Sequence, residues 1–317
     1  SDGGSVRRSE LFDAAFQIIF EFFFECFERT ARGLPVAAKS RTVTGNEGVI
    51  VTEYAYHGHS NAIAPLSTES TPPERRGNHV VTIPAPELFR CPVEASSPEA
   101  ARDYYLDRLD DALAELAARG HRPAALLLDT ILSSEGLPTV PDGFLGAAAE
   151  RVRAAGGLLI ADEVQAGFGR TGTHFFGFDR LQATPDFVTL GKPMGNGHPI
   201  SAVLAHGELV EAFSKVSNYF NTFAGNPVSC AAALAVLDVL EQEQLQDNAR
   251  RQGELIMHEL NSMTEQLEVI GDVRGSGLFI GIDLIKPGTD AEPDAALARR
   301  VMNRMREEGV LLGVTGR

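Results

Sequence analysis

The spacing of apolar and polar positions changes several times along the chain, and each change marks an element. From residue 46 onward, short apolar runs alternate with amphipathic stretches. Val49 to Thr52 is short and apolar, as a buried strand is. Ser97 to Arg119 reads as a helix, with Ser97 as its N-cap and Gly120 as its stop. Ala124 to Leu128 is an apolar run that ends in Asp129. Gly143 to Ala155 is helical and closes at Gly156-Gly157. Leu158 to Ala161 is a strand that runs straight into Asp162 and Glu163. Phe187 to Leu190 ends at Gly191-Lys192, Ser201 to Leu204 is a further strand, and Pro227 to Gln244 is a long helix built on Ala and Leu. The order strand, helix, strand predicts an α/β fold with a mostly parallel sheet covered by helices.

The last part of the chain has a different order. Asn248 to Thr264 is helical, Leu267 to Val273 extended, and Gly277 to Leu284 alternates with period two. Asp294 to Glu308 is helical again, and Val310 to Leu312 begins a strand that the chain end at Arg317 leaves unfinished. This predicts a smaller C-terminal α+β domain, apparently truncated. Near the other end, Leu11 to Phe27 is rich in Phe, but Asp13, Gln17, Glu21 and Glu25 recur about every four residues. That spacing predicts one polar face of a helix, too short and too charged to span a membrane. It also lacks the small-residue cleavage pattern of a signal peptide.

Composition narrows the partners more than the fold. The 317 residues are 44% apolar and 22% charged, ordinary values for a chain with a sizeable core. A formal net charge of −15 disfavours nucleic acid as a partner. The three cysteines, Cys26, Cys91 and Cys230, form no CxxC pair and no cluster with His, which fits a reducing cytoplasm and predicts no metal site.

Ligands of parallel sheets bind at the carboxyl ends of strands, and two charged residues are predicted there. Lys192 sits among glycines in Thr189-Leu190-Gly191-Lys192-Pro193. Two readings stay open. A buried lysine loses its charge to desolvation and can attack an aldehyde, whereas a turn lysine is merely solvated. Asp162, in Ala161-Asp162-Glu163-Val164-Gln165, could pair with a protonated ring nitrogen and make a pyridine an electron sink. The acid pair could also be a Walker-B or metal feature, but no P-loop precedes it and no His lies at ligand spacing. Tyr56-His57-Gly58-His59 could stack an aromatic on a flat ring, bind metal or be a loop. Arg274, in a glycine-rich turn, could grip a carboxylate bidentately or be solvated. Thr222, ahead of the long helix, suits a phosphate or a capping segment.

As an ordered set these segments resemble the class III aminotransferases, which are fold-type I pyridoxal-phosphate enzymes. The set is Tyr56-His57-Gly58, Asp162-Glu163-Val164-Gln165 with Gly167-Phe168-Gly169-Arg170-Thr171-Gly172, Gly191-Lys192, Thr222-Phe223-Ala224-Gly225-Asn226-Pro227 and Arg274-Gly275-Ser276-Gly277. The 30-residue step from Asp162 to Lys192 fits the family. The resemblance runs from about Thr44 to Arg317 and divides the chain into an unmatched segment 1–43, a large cofactor-binding domain 44–245 and an incomplete small domain 246–317.

The resemblance implies the roles. Lys192 would form the Schiff base with pyridoxal 5'-phosphate and shuttle the substrate proton. Asp162 would pair with the pyridine nitrogen. Val164 would pack under the ring, Gln165 would sit near its hydroxyl, and Tyr56, within the motif that includes His57, would stack above it. Thr222 would reach the cofactor phosphate of a neighbouring subunit, implying a homodimer with a shared active site. Arg274 would hold a substrate carboxylate. The implied reaction moves an amino group between an amine or amino acid and a keto acid or aldehyde. Gly195-Asn196-Gly197-His198-Pro199, His57-Gly58-His59 and Ser133 resemble the alanine–glyoxylate and ethanolamine-phosphate phospho-lyase branch, so elimination of phosphate from a phosphorylated amino alcohol is the alternative. The family's Gly/Ser-rich phosphate turn is not found where it is expected, in Phe16 to Thr30. An inactive member serving as a dimerisation partner is therefore a third reading.

Overall fold

The computed structural model describes residues 16–21, 36–92 and 97–315. Its main sheet contains β1 (Phe16–Glu21), β2 (Gly48–Thr52), β3 (Val80–Ile83), β4 (Pro123–Asp129), β5 (Leu158–Asp162), β6 (Phe187–Leu190) and β7 (Ser201–His206), in the order β1-β7-β6-β5-β4-β2-β3. The strands from β6 to β3 run parallel, and β7 and β1 add an antiparallel edge. The segment predicted as part of a helix, where it is described, is instead strand β1, paired with β7 from Phe16↔His206 to Glu21↔Ser201. A run of Phe and Ile has strand propensity as well as helical spacing, and pairing along an open sheet edge decides between them.

Alternation along the central strands shows why both faces are covered. Ile50, Leu126, Leu128 and Leu159 point to one side, where they pack with Leu106, Leu109, Leu116, Phe144, Leu145 and Val152. Those partners come from α2 (Pro98–Ala118) and α3 (Phe144–Ala154). Val49, Val51, Ala125, Leu127 and Ile160 point to the other side, toward Ala37 of α1 (Val36–Thr44) and the half-buried Leu209 and Val210 of α5 (Gly207–Val216). All seven residues of β4 are buried, as expected of a central strand in a doubly covered parallel sheet. Ser97 caps α2 as the sequence predicts, its hydroxyl accepting from the Ala100 amide.

The second unit lies against one end of this layer. Helix α6 (Pro227–Gln242) packs on the main layer, Ala233 lying with Val188 and Leu190, and the second unit that follows contains α7 (Leu245–Thr264), the antiparallel pair β8 (Ile270–Ser276) and β9 (Phe279–Leu284), and α8 (Ala295–Glu307). Val310–Leu312, predicted to start a strand, is not in one, and Leu311 is 83% exposed. The junction with the main layer is built on glycines. A Cβ at Gly172 would come within 2.6 Å of Arg250 backbone, and one at Gly253 within 2.2 Å of the Gly277 carbonyl. Gly277 itself has φ +56 and lies against Arg170 and Thr171 backbone. The Leu278 amide donates to the Arg170 carbonyl, and Ser276 Oγ to the Thr171 carbonyl.

Candidate active site

Asp162 is the last residue of β5. It stands in register with Asp129 at the end of β4 and with Thr189 in β6, two residues before Gly191. An apolar strand thus carries a carboxylate to the open end of the sheet, where only 8% of the residue is exposed. Three donors hold it. His57 Nδ1 lies 2.7 Å from Oδ2, and Oδ1 accepts from Thr189 Oγ1 and the Val164 amide, each at 3.1 Å. A carboxylate has about four acceptor positions, so one remains for a further N–H donor.

His57 stands behind this carboxylate, with its side chain 1% exposed. Burial by itself lowers its pKa. The hydrogen bond and charge of Asp162, with the charges of Glu135 and Asp129, outweigh that and raise it. Tyr56, next in the chain, is half-buried, and its hydroxyl is 3.2 Å from His59 Nδ1, with the two rings edge-on.

Gln165 is fixed from the neighbouring strand end. Its amide donates to Ser133 Oγ at 2.7 Å, and Ser133 in turn donates to Asp129. Asp129 also accepts from the Ile131 and Ser133 amides. Burial, with the charge of Asp162 beside it, raises the Asp129 pKa. Val164 is half-buried and faces Gly191, where a Cβ would lie 3.4 Å from Val164 Cγ1. Val164 and the residue before Lys192 are therefore neighbours.

Of the two readings open for Lys192, buried or solvated, the structure has the residue exposed. The chain leaves β6 at Gly191 and turns into a short 3-10 helix, Lys192–Gly195, in which Met194 and Gly195 face inward. Lys192 is left on the open side, beyond the strand end that adjoins β5.

Thr222 is not brought to Asp162 by the contacts of this chain, and Arg274 reaches that end of the sheet through the Gly136 carbonyl in the loop after β4. Thr222 is exposed in a turn. The cap of α6 is Asn226, whose side chain accepts from the Ser229 amide. Arg274, in β8, is not a solvated turn residue. Nε and Nη2 donate to the Gly136 carbonyl at 3.0 and 2.8 Å, and Nη1 faces Asp272 and Asp283 at 3.1 and 3.0 Å. A substrate carboxylate would have to compete with both acids for this fork. Asp283 also takes the paired nitrogens of Arg90.

Sequence reasoning missed Glu163 as a structural anchor. It is fully buried and accepts from Thr130 Oγ1, the Gly177 amide and the Phe178 amide, each at 2.8 Å. These bonds tie the loop after β5 to α4 (Gly177–Arg180). Burial pushes its carboxyl up to about 7. Asp129 carried the same signal as Asp162, an apolar run ending in an acid, but was given no site role.

With this geometry in place, the comparisons identify the family. The class-III aminotransferase family model matches residues 28–317, and the chain belongs to that family. The match begins upstream of Thr44, where the sequence resemblance starts. Among curated relatives, an alanine–glyoxylate aminotransferase 2-like protein of Drosophila melanogaster is 38% identical over 274 residues, covering 84% of this chain and 56% of the relative. The chain thus spans little more than half of that relative's length. Two solved structures share its fold. A phospholyase from Arthrobacter, in complex with phosphoethanolamine, has a TM-score of 0.84 and 42% identity, over 89% of this chain and 66% of the other. An amine transaminase from an uncultivated Pseudomonas species, in its PLP-bound form, has a TM-score of 0.82 and 26% identity, over 97% of this chain and 72% of the other.

Among the described residues no helix is long and apolar enough to cross a membrane.

Proposed function

We propose that this chain is a pyridoxal-phosphate-dependent aminotransferase. The observation that carries the reading is the Asp162 carboxylate. It sits at a strand end, is held by three donors, has one acceptor position left, and lies on the strand beside the one that leads to Lys192. That set fits a protonated pyridine nitrogen. Gln165, steered by Ser133 and Asp129, fits a ring hydroxyl, and Val164 beside Gly191 fits the ring's lower face. When bound, the cofactor supplies an aldehyde for imine formation and a ring that withdraws electrons.

The protein's part is proton and charge control. Asp162 would hold a proton on the ring nitrogen of a bound cofactor, and His57 Nδ1–H keeps Asp162 oriented. The Lys192 amine is the nucleophile toward the aldehyde. Its Nζ would also be the base that takes the proton from the substrate carbon. Tyr56 would cover one face of a bound ring, and Thr222 would act across a homodimer interface on the partner's cofactor phosphate. Support for the dimer is the exposed apolar segment around Thr222, where Phe220, Phe223 and Val228 are 80, 68 and 69% exposed. Residues 44–245 form the cofactor domain and 246–317 the small one, a division supported by the second sheet lying wholly beyond residue 246. The substrates are an amine or amino acid and a keto acid or aldehyde. A reducing cytoplasm suits the free thiols of Cys91 and Cys230.

The test is spectroscopic. Purified protein mixed with pyridoxal phosphate should gain the visible band of a protonated imine, and Lys192→Ala should not. The reading fails if no band forms, or if the band is unchanged in Lys192→Ala. A second reading, phosphate elimination from a phosphorylated amino alcohol, is favoured by the 42% identity to the phospholyase. Phosphate release without any keto acid would select it.

A further inference from the structure

Two buried polar atoms near Asp162 have no hydrogen-bond partner. One is His57 Nε2, on the side of the imidazole away from Asp162. The other is Glu135 Oε2. Their sister atoms are both engaged. His57 Nδ1 is on Asp162, and Glu135 Oε1 accepts from Thr52 Oγ1, the last residue of β2. Leaving a buried donor or acceptor unpaired costs about 1–3 kcal/mol. Here a donor-capable and an acceptor atom are left over together, and a water between them would satisfy both. Each residue also acts on the other's charge, since Glu135 raises the His57 pKa and His57 lowers that of Glu135.

We propose that Glu135 is a positioning residue for the Asp162 site: its free carboxyl oxygen engages His57 Nε2 through one buried water, so that His57 is held from both ring nitrogens. This rests on the reading of Asp162 as the partner of a ring nitrogen.

The loop that carries Glu135 is built to hold it. The Ile131 and Ser133 amides bind Asp129, and the Leu137 amide donates to the Leu132 carbonyl. Arg274 fastens the adjacent Gly136 carbonyl with two donors, and Thr315 Oγ1 donates to the Ser134 carbonyl at 2.8 Å. The side chain is pinned by Thr52 and its backbone by the small domain. Arg274, whose fork is shared between Gly136, Asp272 and Asp283, thus supports the residue that backs His57.

The arrangement has a specific chemical result. Burial, with the charge of Asp129, pushes the Glu135 carboxyl up to about 7, while His57 is raised from its ordinary value. One proton can therefore rest on Glu135 or on Nε2. In either case Nδ1 keeps its own proton and keeps donating to Asp162. Asp162 then remains an acceptor, free to take a ring N–H, while the proton behind it changes place. The charged groups acting on His57 are Asp162 at the end of β5, Asp129 at the end of β4 and Glu135 in the loop after it.

The test follows His57 in the full chain with 15N-labelled histidine, using His57→Asn to assign its signals. In the wild type, Nδ1 should stay protonated across neutral pH, and Nε2 should titrate above an ordinary histidine. Glu135→Gln keeps the shape but removes the charge, and should lower that midpoint by about one pH unit or more. Glu135→Asp should restore part of the shift. An unchanged His57 midpoint in a folded Glu135→Gln protein overturns the proposal. If the variants do not fold, the wild type still decides: below the midpoint the Nε2 proton must be slow to exchange with water, and fast exchange overturns the proposal. Adding pyridoxal phosphate separates the two ideas. Failure to form the visible band removes the cofactor reading while leaving the His57–Glu135 result intact.

Discussion

Glu163→Gln isolates the cost of a charge buried under the candidate site. Glu163 is fully buried, and its carboxyl is raised from 4.5 to about 7 by desolvation, against the opposing pull of three hydrogen bonds. The folded chain therefore keeps this proton up to about pH 7, whereas the unfolded chain releases it near 4.5. Stability from this group is complete below the unfolded value and is lost as pH rises through the folded one. At about 1.4 kcal/mol per unit, the loss is on the order of 3 kcal/mol. Glutamine has no such titration, but its amide nitrogen cannot accept. Whichever way it turns, either the Gly177 or the Phe178 amide loses its partner, costing about 1–3 kcal/mol. The variant should be the less stable protein near pH 5, and its deficit should shrink or reverse by about pH 8. Since His57, Asp129 and Glu135 titrate in both proteins, the difference isolates Glu163. The chain has no tryptophan, so urea unfolding is followed by far-UV circular dichroism at several pH values. A stability difference that stays constant across that range refutes the reasoning.

The other predictions concern the small domain. Arg90→Ala removes the paired contact to Asp283, whose carboxyl is raised by burial but held below its usual range overall by Arg90 and Arg274. The pair is partly solvent-exposed, so a loss of about 2 kcal/mol is expected in neutral urea titrations. That loss should diminish as pH falls below the ordinary aspartate range, because a depressed acid loses its contribution there. Gly253→Ala places a methyl 2.2 Å from the Gly277 carbonyl and should cost about 1–3 kcal/mol or more, with faster proteolysis around the β8–β9 turn. Arg274→Lys should raise KM for amino donors that carry a carboxylate and leave amines without one unchanged, if the fork exchanges Asp272 and Asp283 for substrate. Equal effects on both classes would assign Arg274 to holding Gly136 instead.

What the sequence revealed was local. Helix α2 was legible because Ser97 and Gly120 mark its ends chemically, and Asp162 because a buried run stops at a charge. The short strand β3 has only four residues, and α5 follows β7 without a turn signal, so neither stood out. The partners of the site were hidden for a different reason. His57 and Asp162 are 105 positions apart, Arg274 and Gly136 are 138 apart, and Gln165 reaches Ser133 across 32. Such pairs are made by how strand ends, loops and the second unit come together in space, which no spacing rule encodes. The exposure of Lys192 was equally invisible, since the motif around it specifies a turn and leaves its direction to the sheet.

The glycine junction constrains how the protein could be recombined. Gly172, Gly253 and Gly277 belong to three segments that read separately in the chain, yet each occupies space that only backbone fills. A chimera that takes its small domain from another protein inherits two of these positions from one parent and the third from the other. It should fold only where both parents have glycine there, or where all three segments are exchanged as a block. The same logic predicts that, across natural variants, a side chain at one of the three positions is accompanied by a backbone insertion or deletion at another.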